Sequence, residues 1–249
     1  MAQILENLED FSSQLKKIFA LNGLEKFADE QSIQKFHALT LILQKANAEM
    51  NLTAINDTSE IILKHYADSL LAAHMFEKDK TVIDIGCGAG FPSLPLAIVR
   101  PDLKITPLDS TGKKIEFVRE TAKRLELANI DPICQRAEEY LAKAQKRESY
   151  DYATARAVSR LNILSELALP FVKIGGSFIA LKAKEGESEL SEAEKGIGIL
   201  GGKVEKAQHL TLSDADSFEA QRVIIEIKKV IETPKKYPRQ YAKIAKKPI

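Results

Sequence analysis

Three glycines at alternate positions, Gly86, Gly88 and Gly90, follow Asp84 and Ile85 in the stretch Thr81–Pro92, TVIDIGCGAGFP. Glycine this dense suits a turn where backbone comes close to a ligand, because a side chain would block the approach. The run before it reads as a buried strand and Leu94–Val99 as a helix, whose free N–H groups and positive dipole end would face that ligand. A tight strand-to-helix turn without a ligand would use glycine for geometry alone, but need fewer. Spacing sorts the nucleotides. Counted from Gly86, a dinucleotide fingerprint would need its third glycine at position 91, which is Phe91, and the G-K-[ST] of a phosphate loop is absent.

Other residues could do chemistry at the ends of later strands. Asp109 lies about 20 residues beyond the glycines, where an acid after the second strand accepts hydrogen bonds from ribose hydroxyls. It is also placed to cap a helix over Lys113–Leu127, and the two roles can coexist. Glu138, after a third strand, could sit beside an adenine amine, or with Glu139 simply favour the start of a short helix. Arg156, at the C-terminal edge of a fourth strand, points to the ligand crevice of an open α/β sheet. Arg160 follows in the loop, and Lys182 ends a fifth strand. His65 and Asp68, three apart, share a helix face, either as a functional pair or as an ordinary surface pair. His37, beside Phe36, reads as a packing or surface histidine.

The elements that must position these residues follow from periodicity. Ile4–Leu21 and Ile33–Ala46 carry helical apolar stripes, Asn51–Ile55 is a break, and Ser59–Met75 is helical with Ser59 as N-cap. Strands are expected at Lys104–Leu108, Ile130–Arg136, Asp151–Val158 and Gly176–Ala183, with an antiparallel pair at Val204–Leu212 and Arg222–Val230. Helices are expected at Leu161–Val172 and Glu185–Lys195. Pro107 lacks a ladder donor and marks its strand as an edge or a bulge. Three regions result: a helical region over 1–80, an α/β core over 81–232 and a basic tail over 233–249.

The 249 residues are 45% hydrophobic with a net charge of +1, unevenly spread. Residues 1–80 hold eight lysines and twelve acids, whereas Lys228–Ile249 holds eight basic residues and one acid. Basic residues interleaved with tyrosines and prolines are not expected to form a core, so the tail is either a solubilising extension or, the sharper reading, an arm for phosphates. No apolar run is long enough for a membrane span. Met1–Asp10 lacks the basic start of a signal peptide, and Cys87 and Cys134 have no metal spacing. A cytoplasmic protein with no metal is expected.

The stretch D-I-G-C-G-A-G resembles motif I of the class I S-adenosylmethionine-dependent methyltransferases, in which the turn passes under the methionine part of the cofactor. Over a longer span, NLTAI, KHYADSL, IDIGCGAGFPSLPLAIVRP, LDSTGKK, ATARAV, ALKAK and TPKKYPR stand in order between Asn51 and Ile249. That set resembles the bacterial RsmG (GidB) family, while residues 1–50 share only helical character. The resemblance implies a Rossmann-like α/β fold, a seven-stranded mostly parallel sheet with the last strand antiparallel, plus the N-terminal helical extension. It also implies methylation of N7 of a guanosine in the 530 loop of 16S rRNA, met as naked RNA or in the small ribosomal subunit; a monomer is expected. Matched residue by residue, it implies cofactor contacts at Gly86 and Phe91, at Asp109, Ser110 and Thr111, at Ala137 and Glu138, and at Arg156 beside the methionine end. Cys87, Ser93 and Lys114 depart from the family's usual residues by small or charge-conserving changes.

Guanine N7 carries an exposed lone pair, so no general base is expected. RNA contacts are expected at Arg160, Lys182, Lys235, Lys236, Arg239, Lys243, Lys246 and Lys247. Cutting the chain after Glu232 should then spare cofactor binding and weaken RNA binding, and Arg156 should matter more to activity than to folding. A class I methyltransferase acting on a protein or small molecule, or a silent nucleotide-binding regulatory module, are the alternatives. The basic tail argues against the first, the intact glycine turn against the second.

Overall fold

Side chains of period two send alternate residues of each strand into different layers. Val82 joins one buried cluster and its neighbour Ile83 another; Ile179 and Phe178, and Ile224 and Ile225, divide the same way. The computed structural model describes residues 7–143, 145–214, 216 and 218–249 and folds them as helices on both faces of one seven-stranded sheet. The strands are β1 (Thr81–Ile85), β2 (Lys104–Asp109), β3 (Ile133–Cys134), β4 (Tyr150–Arg156), β5 (Val172–Ala183), β6 (Gly202–Ser213) and β7 (Glu219–Lys229). Their order is β3-β2-β1-β4-β5-β7-β6. β7 runs antiparallel to both neighbours and the other pairs are parallel, the arrangement expected.

Where elements differ from expectation, proline explains two cases. β3 shrinks to two residues because Pro107, facing it from β2, has no N–H to give, leaving Ile130 an isolated bridge to Ile105. The helix after Leu161 stops at Ala168 and tightens into a 3-10 turn over Leu169–Phe171, which contains Pro170. Pro107 corrects its own expectation: it lies inside the sheet, paired in register with Asp84 of β1. Ile105 donates to Asn129 on the β3 side. Two residues on, the donor missing at Pro107 faces the same side, in the gap before Leu108 pairs with Ile133.

The first expected helix begins, among the described residues, at Leu8, with Asn7 accepting from the Glu9 N–H; Ile4 lies outside them. Its Phe11, Leu15 and Phe19 belong to the same buried cluster as Val82, Leu94, Ile105 and Phe117. The third helical stretch is capped by Asp57 rather than Ser59. It then widens into a π-helix over Ile61–Ala67, where the Asp68 N–H reaches back to the Leu63 carbonyl.

The tail also departs from expectation. Thr233, Tyr237 and Ile244 are buried, the last two inside the cluster that holds Phe171 and Phe178. Arg147 donates to the carbonyls of Thr233, Pro234 and Tyr237. The buried ammonium of Lys229 donates to Leu169 O and Thr233 Oγ1 and pairs with Glu148 at 3.0 Å. Composition misled here because two buried apolar side chains, Tyr237 and Ile244, and a set of hydrogen-bonded backbone carbonyls suffice to seat a strap. No helix among the described residues is long and apolar enough to cross a membrane.

Candidate functional site

The glycine turn leaves β1 with Gly86, Gly88 and Gly90 all at left-handed angles, φ 74°, 57° and 90°. Gly86 and Cys87 donate their N–H groups to Leu108 O at the end of β2. A Cβ on Gly86 would stand 2.8 Å from Val158, so the position is closed by this chain's own side chain as well as by its φ. Asp109 ties the two strand ends together: Oδ2 accepts from Gly88 N–H at 3.0 Å and Oδ1 from Thr111 N–H at 2.8 Å. A carboxylate has about four acceptor sites, so two remain.

Beside this junction lies a pocket of about 270 Å³ at the C-terminal ends of β1 to β4. Gly86, Asp109, Ser110, Ala137 and Glu138 line it together, with Ile85, Leu108, Val158, Leu167 and Tyr241 as its apolar walls. Thr111 adjoins it through Asp109. A larger cleft of about 430 Å³ runs between Glu30–Met50 and Gly112–Arg124, and no residue of the strand ends or the glycine turn lines it.

Phe91 and Arg156 belong to a second cluster that the N-terminal helices complete. The His65 ring stacks on Phe91 at 4.4 Å with 9° between planes, and the Arg156 guanidinium lies 5.8 Å from the Phe91 ring centre. Arg156 Nη1 donates to Lys64 O at 2.7 Å and to Asp68 Oδ2 at 2.8 Å, while Arg222 Nε donates to Asp68 Oδ1 at 2.6 Å. Asp68, 7% exposed, is held between two guanidiniums. The π-helical winding brings His65 and Asp68 to this place, and the Asn51–Ile55 break serves it too. Asn47 clamps Thr53 through its N–H and carbonyl, and Thr53 Oγ1 meets His65 Nε2 at 3.0 Å. Arg156 can only donate, so His65 Nδ1 is the acceptor facing it and Nε2 carries the proton toward Thr53.

Asp84 is the functional candidate that sequence reasoning passed over, although it stands in the glycine motif. It is fully buried, with Oδ2 accepting from Ser93 Oγ at 2.6 Å and Oδ1 without a partner among the described residues. Arg156 Nε is likewise buried and unpartnered. Burial, offset in part by Ser93 and Arg156, pushes the Asp84 carboxyl up to about 7 from 3.8. The folded protein then keeps a proton that the unfolded chain releases. Its contribution to stability is complete below 3.8 and lost as pH rises through 7. His65 works in the opposite sense. Burial and then the Arg156 charge lower it from 6.5 to about 3, so its contribution is present above 6.5 and lost as pH falls toward 3. Asp84→Asn removes only the first effect. Its melting temperature relative to wild type should climb between about pH 5 and pH 8, and a difference that stays flat would show that Asp84 does not titrate there.

The residues expected at RNA are divided. Lys182 Nζ donates to Ser159 O at 2.7 Å and pairs with Glu189 at 2.7 Å, its side chain only 9% exposed, so it is structural. Arg239 is committed to the wholly buried Glu166 through its backbone N–H, Nε and Nη2. Both depart from the expected exposure because each has a carboxylate brought in from another element. Arg160 pairs with Glu192 on the surface, and Lys235, Lys236, Lys243, Lys246 and Lys247 are exposed.

A family model described as rRNA small subunit methyltransferase G (GidB) matches residues 32–217. Ribosomal RNA small subunit methyltransferase G of Staphylococcus saprophyticus is 46% identical over 237 residues, 94% of this chain and 97% of that one. The protein of that name from Clostridium perfringens strain SM101 is 41% identical, again over 94% of this chain and 97% of its own. Among solved structures, a putative transferase from Pyrococcus horikoshii superposes with a TM-score of 0.53 at 16% identity, over 65% of this chain and 62% of that one. M. jannaschii TYW2, solved in complex with AdoMet, gives 0.51 at 15% identity, over 64% and 73%. At those identities the likeness concerns the fold alone.

Proposed function

The chain belongs to the rRNA small subunit methyltransferase G family, and on that premise we propose that it methylates N7 of a guanosine in the 530 loop of 16S rRNA. It is an S-adenosylmethionine-dependent methyltransferase. The observation that carries the site reading is the convergence of Gly86, Asp109, Ser110, Ala137 and Glu138 on one pocket at the strand ends. Such a crevice at the carboxyl ends of strands is where open α/β sheets take ligands.

The residues fit the cofactor on independent counts. Asp109 keeps acceptor capacity for ribose hydroxyls. Glu138 lines the same pocket and offers a carboxylate for an adenine amine. A Cβ on Gly88 would meet nothing within 4 Å, leaving room beside the turn. The unpartnered Asp84 Oδ1 and Arg156 Nε suit the ammonium and carboxylate of the methionine end. When bound, S-adenosylmethionine supplies an electrophilic methyl group on a sulfonium.

The chain's own part is to hold and to exclude. The N7 lone pair is free for attack, so no residue need remove a proton first. His65 held neutral adds no positive charge beside a base that becomes cationic. Its stack with Phe91, both rings buried, keeps water from this side of Arg156. Fixing the base against the methyl group is a proximity effect that supplies roughly 7–11 kcal/mol.

In this reading the helices of residues 1–80 complete the acceptor side, residues 81–232 carry the cofactor, and the exposed lysines of the tail approach RNA phosphates. Replacing Lys243, Lys246 and Lys247 together by Ala should reduce the slope of log affinity against log salt by about 2, at about 0.7 per single-strand phosphate contact. An unchanged slope removes them from the interface. The activity itself is tested by tritium transfer from labelled S-adenosylmethionine to 16S RNA, 30S subunits and total protein. Label recovered as 7-methylguanosine in the RNA is the expected result. Label in protein, or none, overturns the proposal.

A further inference from the structure

The C-terminal strap reaches the cofactor pocket, a connection that the glycine-turn and strand-end motifs do not supply. After Arg239 locks onto Glu166, the chain forms a short helix, Tyr241–Lys246, and Ile244 on that helix is buried. Tyr241 therefore lies between two fixed points, Arg239 and Ile244, five residues apart. Its side chain lines the pocket with Gly86, Val158 and Leu167, and its backbone N–H donates to Glu138 Oε1 at 3.3 Å. At 39% exposure it ranks among the larger apolar surfaces the fold leaves open. An aromatic ring held at the mouth of a slot whose other walls are Ile85, Leu108 and Val158 matches a flat heteroaromatic ligand, which gains both stacking and burial there.

We propose that Tyr241 forms the outer wall of the adenine end of the pocket, so that the C-terminal strap is part of the cofactor site. This rests on the S-adenosylmethionine reading above. The ring covers the purine from the solvent side, while the Tyr241 N–H steadies Glu138 for the exocyclic amine. Arg239 and Glu166 set the strap's path and are positioning residues. The tail expected to act on RNA alone thus has a second role, and its near part serves the cofactor.

The chain contains no tryptophan, so Tyr241→Trp places a single indole at this wall. Titration with S-adenosylhomocysteine or 5′-methylthioadenosine should change its emission, and titration with methionine should not. By calorimetry, Tyr241→Ala should bind both adenine-bearing ligands about tenfold more weakly, and Tyr241→Phe should stay within about twofold of wild type. A silent indole with unchanged affinity for Tyr241→Ala overturns the wall. A loss confined to S-adenosylhomocysteine does so too, because it moves the contact to the methionine end. If wild-type protein binds neither ligand, the cofactor reading itself fails, and that outcome is separate from failure of the wall. Melting of the variants within a few degrees of wild type keeps folding out of the comparison, since the ring is exposed.

Discussion

Arg156→Ala will lose both methyl transfer and stability. The sequence argues for a crevice arginine whose loss is mainly catalytic. In the fold, its guanidinium also carries the contact between the N-terminal helices and β4, through Asp68 and Lys64 O. Removing one partner of a buried pair costs about 3–5 kcal/mol, because the other charge stays behind. Asp68 keeps Arg222, which sets the expected loss near 3 kcal/mol at the low end of that range. Methyl transfer should drop by roughly tenfold or more, as expected when a charge-assisted bond worth about 1.5–3 kcal/mol disappears. Arg156→Lys should recover charge but not the second nitrogen that faces His65 Nδ1, and its side chain is shorter, so it should recover only part of either loss. Urea denaturation and turnover on 30S subunits measure the two effects. Wild-type stability in Arg156→Ala would break the structural half of this account, and near-normal turnover would break the catalytic half.

The strap yields the second large effect. Arg239→Ala leaves the Glu166 carboxylate wholly buried without its cation, so unfolding free energy should fall by about 3–5 kcal/mol. Converting Glu166→Gln in the same chain should restore much of that, because the stranded charge is gone. Cutting the chain after Glu232 goes further. It removes the Thr233 hydroxyl from the buried Lys229 ammonium and strips Tyr237 and Ile244 from the core. Each large apolar side chain is worth about 1.5–3 kcal/mol when buried, and whole domains hold only about 5–15 kcal/mol. The truncate should therefore lack a cooperative unfolding transition, against the sequence-based expectation that it keeps cofactor binding. A folded truncate with full S-adenosylhomocysteine affinity would show that the strap is dispensable. Arg239→Ala within about 1 kcal/mol of wild type would show that its ion pair behaves as an exposed one.

What was legible in the amino-acid order is what neighbouring residues encode. The apolar run of β1 announces a strand buried on both faces, and the glycines after Ile85 announce a turn with left-handed angles. Asp109 and Glu138 were legible because a doubly wound sheet always returns its strand ends to the same edge, so distance along the chain predicts nearness in space. The reversal of β7 was likewise foreshadowed by two long strands joined by Ser213–Ala220. What the tertiary structure alone decided is which charges meet. Asp68 finds Arg156 and Arg222, 88 and 154 residues away, because a π-helical turn re-aims one helix face at the sheet edge. Lys182 and Arg239 read as free cations until Glu189 and Glu166 arrive from other elements. Asp84 stands in plain sight in the motif, yet its burial and its open Oδ1 depend on how Ser93 and Arg156 close around it. Tyr241 gave no local signal of a pocket, since Gly86, Glu138 and Val158, which line it with Tyr241, stand more than 80 positions away in the chain. Periodicity is a property of a dozen adjacent residues, whereas ion pairing and pocket walls belong to surfaces that exist only once the layers have closed.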